Sequence, residues 1–91
     1  MRADELIASI EANPLQVKIR GNRQEVILSC LDLEVRFPVT ECIFTQLVCS
    51  LSSAEVITKG PLAEVNQEII YVLTQAACNR KYSSFDLKFK E

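Results

Sequence analysis

Four cysteines and no histidine bound the chemistry open to this 91-residue chain. The thiols fall at Cys30, Cys42, Cys49 and Cys78, and no two of them form a C-x-x-C pair. Zinc sites are built from close ligand pairs and commonly add imidazole, so no metal site is expected. Cys42 and Cys49 border one apolar stretch, and an activated thiolate there would need a cation beside it and access to solvent. All four are read as free thiols, mostly filling core as small hydrophobes. Without histidine, a general base would have to be Asp, Glu, Lys, Tyr or Cys. Gly21 and Gly60 stand alone, so no glycine-rich loop cradles phosphate. The expectation is a protein with no catalytic residue, cofactor, metal or small-molecule substrate.

The bulk composition agrees with an ordinary folded domain. The chain is 48% hydrophobic and 24% charged, and its net charge of −2 with pI near 5.1 exerts no overall pull on nucleic acid. A nucleic-acid role would need a local basic patch. No run of roughly 18 apolar residues exists to span a membrane. Asp4, Glu5 and Glu11 interrupt the first apolar stretch where a signal peptide would be uninterrupted, which makes a cytoplasmic location the expectation.

Periodicity places the elements that would position any site. In residues 1–13, Leu6, Ile7 and Ile10 repeat at helical spacing until Asn13-Pro14 stops the helix. Residues 15–37 read as a small antiparallel sheet. Leu15, Val17 and Ile19 alternate with Gln16, Lys18 and Arg20 up to a Gly21-Asn22 turn, and strands at 25–29 and 33–37 divide near Cys30–Asp32. Across residues 39–52, Phe44, Leu47, Val48 and Leu51 form a helical stripe flanked by Ile43, predicting a first core helix. A short strand follows at 55–58. Gly60-Pro61 then opens a second helix through residues 61–80, with Leu62, Val65, Ile69, Val72, Leu73 and Ala76 inward. Residues 85–90 alternate Phe85, Leu87 and Phe89 against Asp86, Lys88 and Lys90, a final strand. The predicted order is α-β-β-β-α-β-α-β, one α+β domain in which Phe44, Leu47, Leu73 and Phe85 are buried together.

The stretch "VRFPVTECIFTQLVCSLSSAEVITKGPL" resembles the winged-helix DNA-binding domain of the OmpR/PhoB type. Phe37 stands at the family's strand-end position, Thr40-Glu41 at its helix start, and Phe44, Leu47 and Val48 at core positions. Val56-Ile57-Thr58 match its short strand and helix cap, and Val17, Ile19, Arg23 and Val26 resemble the preceding sheet. Pro38 replaces a capping hydroxyl, the second helix is shortened, and no glycine follows Gly60 to turn a wing. The resemblance implies a winged-helix-like fold and double-stranded DNA as partner, with a recognition helix over residues 69–80. Gln67, Tyr71, Gln75 and Asn79 would face the DNA, while Arg80, Lys81, Lys88 and Lys90 would neutralise phosphates. Glu64 and Glu68 oppose that role. The function implied is a small transcription regulator, acting alone or as a homodimer. The alternative is a protein-protein interaction module (adaptor or inhibitor), winged-helix-like or of another small α+β fold, that does not bind DNA.

Overall fold

The computed structural model describes residues 3–57, 66–80, 82 and 84–91. Helix α1 (Ala3–Ala12) ends where Asn13 folds back, its Nδ2 donating to the Ser9 carbonyl at 2.6 Å before Pro14 forbids continuation. An antiparallel meander of four strands follows: β1 (Gln16–Arg20), β2 (Glu25–Cys30), β3 (Leu33–Ile43) and β4 (Gln46–Ser50). The two-residue strand β5 (Glu55–Val56) pairs with the first half of β3, opposite Val35 and Arg36. Since β4 pairs with the second half, β4 and β5 lie along β3 as one interrupted strand. Helix α2 (Asn66–Asn79) then leads to β6 (Asp86–Lys90), which lies parallel to β4. A helical connection is what a parallel pairing needs. The result is a mixed α+β sheet in the order β1-β2-β3-β4-β6.

One face of that sheet makes the core. Val26, Leu28 and Cys30 of β2, Leu33, Val35 and Phe37 of β3, and Leu47 and Cys49 of β4 point to it. Ile10 of α1 and Leu73 and Ala77 of α2 close over them, so both helices cover the same face. Leu87 and Phe89 of β6 pack at its margin, and the Phe89 ring meets Phe37 edge-on at 5.0 Å and 66°. An edge-to-face pair adds to the area each ring buries.

The helix predicted over residues 39–52 is a strand, a turn and a strand. β3 runs on through Pro38 to Ile43, and Phe44-Thr45 turn the chain into β4. Val39, Thr40, Ile43, Phe44, Thr45 and Val48 are β-branched or aromatic, types that fit a pleated surface better than a helix. Pro38 is tolerated because it leads into a bulge at Thr40, where the register shifts between Val39 and Glu41. The predicted core changes with it. Leu47 and Leu73 are buried, but Phe44 is 91% exposed and Phe85 is half-buried, stacked on Tyr82. The first core helix on which the winged-helix resemblance relied is therefore a hairpin. The Gly60-Pro61 helix start and Thr58 lie outside the described residues.

Candidate functional site

The proposed base-reading residues and the proposed phosphate-binding lysines sit on opposite sides of the molecule. Leu73, Thr74 and Ala77 turn α2 toward the sheet, which leaves Tyr71, Gln75 and Asn79 on its exposed outer side at four-residue spacing. Lys88 and Lys90 alternate with the core-facing Leu87 and Phe89, so they project from the far face of the sheet. The sheet itself separates the two groups. Arg80 is committed elsewhere: its Nη2 donates to the Asn13 carbonyl at 3.2 Å, tying the end of α2 to the end of α1. The Gln67 side chain and Lys81 lie outside the described residues.

Among the described residues the far face carries both signs of charge around the buried Ile27 and Val48. Register aligns Lys18, Ile27, Arg36 and Glu55 in one row across it, and Glu41, Val48 and Lys88 in another. Arg36 reaches Glu25 at 3.7 Å and bonds Glu55 directly, and the ladder sets it opposite the buried Ile27. Glu41, Glu25, Glu55 and Asp86 are interspersed with Lys18, Arg20, Arg36, Lys88 and Lys90. A surface that neutralises phosphates would be dominated by bases, and this one is not.

The ionisable groups near the end of α2 are quiet at neutral pH. Burial pushes the Cys49 thiol up to about 12, with a smaller push from neighbouring Cys78. Burial also raises Cys30, Cys78 and the Tyr82 phenol; the Arg80 charge pulls Cys30 and Tyr82 the other way but does not prevail. A reactive thiol needs the opposite shift. Among the described residues no group of three Cys, Asp or Glu side chains is placed to hold a metal ion. A cleft of about 590 Å³ is lined by Leu51, Ala54, Val56, Ile70 and Tyr71, with Ser52 and Glu91 as its polar members.

The most conspicuous side chain is at the tip of the β3–β4 hairpin. Ile43 pairs with Gln46, so Phe44 and Thr45 form a two-residue loop. Phe44 takes φ 54°, a left-handed conformation that costs an L residue about 1–2 kcal/mol. Its carbonyl accepts from Arg23 Nη1 of the β1–β2 turn at 3.1 Å and from the Cys42 thiol at 3.9 Å. The Thr45 carbonyl accepts from the Asp86 amide at 2.9 Å. The loop is thus braced from three sides while its ring projects into solvent beside Ile43, itself 47% exposed. Leu31, at the first position of the two-residue β2–β3 turn, repeats the pattern with φ 56° and an exposed apolar side chain. Sequence reasoning missed Phe44 and Arg23 as a pair. No Asn-Gly or Asp-Gly marks the turn, which is the usual signal for a two-residue hairpin.

No helix among the described residues is long and apolar enough to cross a membrane. No family model matches the chain, and neither a curated protein nor a solved structure matches it.

Proposed function

We propose that this chain is a non-catalytic protein-interaction module that presents the β3–β4 hairpin tip to its partner. The observation that carries the reading is Phe44: an aromatic ring 91% exposed, held in a strained turn by Arg23, Cys42 and the β6 contact at Thr45. Backbone strain that persists because its surroundings over-determine it is characteristic of sites with a task. An exposed, braced aromatic is also the kind of anchor that supplies most of an interface's binding energy when it enters a pocket. Ile43 beside it and Arg23 beneath it provide an apolar flank and a polar rim.

A small DNA-binding regulator of winged-helix type is the second reading. It draws support from Tyr71, Gln75 and Asn79, which share one exposed strip of α2. Against it stand the mixed charges of the far face and the hairpin formed by residues 39–43 and 46–50.

Parallel affinity capture with the wild type and Phe44→Ser separates these readings, followed by titration of each purified partner. The interaction reading expects a partner whose affinity falls roughly thirtyfold in Phe44→Ser, the loss of an anchor of about 2 kcal/mol. It is overturned if every partner binds both proteins equally. Duplex binding that weakens steeply with salt, and is abolished by Lys88→Ala with Lys90→Ala, would install the regulator reading instead.

A further inference from the structure

We infer that β6 is a self-pairing edge, and that two copies of the chain join their sheets through antiparallel β6 strands centred on Leu87. This inference rests on the sheet edge and is independent of Phe44.

β6 pairs with β4 on one side, and among the described residues no strand lies on its other side. The Asp86 amide donates to the Thr45 carbonyl, and the Leu51 amide donates to the Lys90 carbonyl at 2.7 Å. In a parallel ladder those two bonds turn the backbone of Asp86, Lys88 and Lys90 toward β4. The N–H and C=O groups of Leu87 and Phe89 therefore point outward along the free edge. The Cys78 thiol already approaches the outward Leu87 carbonyl at 3.9 Å, a weak contact that leaves the second lone pair of that oxygen open.

Charge selects both the occupant and the register. A twofold axis through Leu87 sets Asp86 opposite the partner's Lys88, and Lys88 opposite the partner's Asp86. Those are non-hydrogen-bonded positions, where side chains come closest. The same register sets Leu87 against the partner's Leu87 and Phe89 against the partner's Phe85 on the apolar side, extending the face that carries Phe37. Moving the axis to Lys88 places Lys88 against its own copy, and moving it to Phe89 places Lys88 against the partner's Lys90. Both oppose like charges. The other outer strand, β1, offers Lys18 and Arg20 without an acid, so neither β1 with β1 nor β1 with β6 reaches this complementarity. The lysines that would blunt an open edge against arbitrary strands thus become, with Asp86, a code for one partner.

The test is sedimentation velocity on the full chain over a wide concentration range, with Asp86→Lys, Lys88→Asp and the combined charge swap. Wild type is expected to dimerise. Each single variant places like charges opposite one another twice and should weaken the dimer by about tenfold or more, while the swap restores it to within a few-fold. Amide exchange supplies a second readout on the unaltered chain: the Leu87 and Phe89 amides should slow as concentration rises. Wild type that remains monomeric at millimolar concentration overturns the inference, as do single variants that dimerise like wild type or a swap that fails to rescue. A monomeric wild type whose Leu87 amide is protected only by an added foreign peptide strand assigns the edge to another partner and overturns it equally.

Discussion

Phe44 gains almost nothing from the fold that holds it, and this makes it the most informative single position. Its ring is nearly fully exposed and its backbone lies in the left-handed region. Phe44→Asn keeps a side chain that tolerates that conformation, so it should raise stability by about 1 kcal/mol, seen as a higher urea midpoint at unchanged slope. A loss of stability on that substitution would mean the ring packs on something in the folded chain. Leu47 is the contrast. It is 1% exposed within the core, and Leu47→Ala should cost about 2–5 kcal/mol in the same measurement. In sequence the two are indistinguishable, since both are large apolar residues on one apparent stripe. Only the turn between Ile43 and Gln46 separates them, and a Phe-Thr pair carries none of the usual turn chemistry.

At the scale of elements, legibility followed burial on one face or two. β1 and β6 are outer strands whose inward residues alternate with exposed ones, and their period of two is plain in "QVKIR" and "DLKFK". β4 lies between β3 and β6, and Leu47, Val48 and Cys49 are all buried. A strand covered on both faces loses its alternation and reads as a continuous apolar run, which a helical stripe fits just as well. The inward face of α2 was nearly legible: Leu73 lies at its centre, with Thr74 and Ala77 completing the buried strip. Buried Thr74 donates its hydroxyl to the Tyr71 carbonyl at 2.8 Å, and that self-satisfaction lets a polar residue occupy a core position. The split between the α2 strip and the β6 lysines could not be read at all, because it depends on which side of the sheet the helix covers. One connection between elements is directly testable. Arg80→Ala removes the bond to the Asn13 carbonyl and should cost about 1 kcal/mol, with faster amide exchange concentrated in α1. Uniform acceleration across the sheet would instead mean that Arg80 supports the whole core.

For the whole molecule, the alkaline limit of stability is set by groups that the fold keeps protonated. The unfolded Cys49 thiol ionises near 9, but in the folded chain it does so only near 12. Below 9 both states hold the proton and stability is unaffected by this group. Above 9 the unfolded state loses the proton first, so stability declines until the folded thiol also ionises. The slope from Cys49 is at most about 1.4 kcal/mol per pH unit. Cys30, Cys78 and Tyr82, all shifted upward, act in the same direction. Denaturation under reducing conditions should therefore show a plateau to about pH 9 and a fall beyond it, shallower in Cys49→Ala. Stability that stays level to pH 11 would place Cys49 in contact with water.

The core that contains Phe37 is completed from both directions along the chain: Ile10 of α1, made early in synthesis, and Leu73 and Ala77 of α2, made late, close over it, with Leu87 and Phe89 of β6 at its margin. A ribosome that has released only α1 and the β1–β4 meander has exposed strands whose apolar face has Ile10 but still lacks Leu73 and Ala77 of α2. The contacts that complete it span most of the chain, and such long closures are slow to form. Until α2 and β6 arrive, Val26, Leu28, Val35 and Phe37 form an open, sticky sheet. That interval closes only when α2 and β6 have followed the meander out and covered its apolar face.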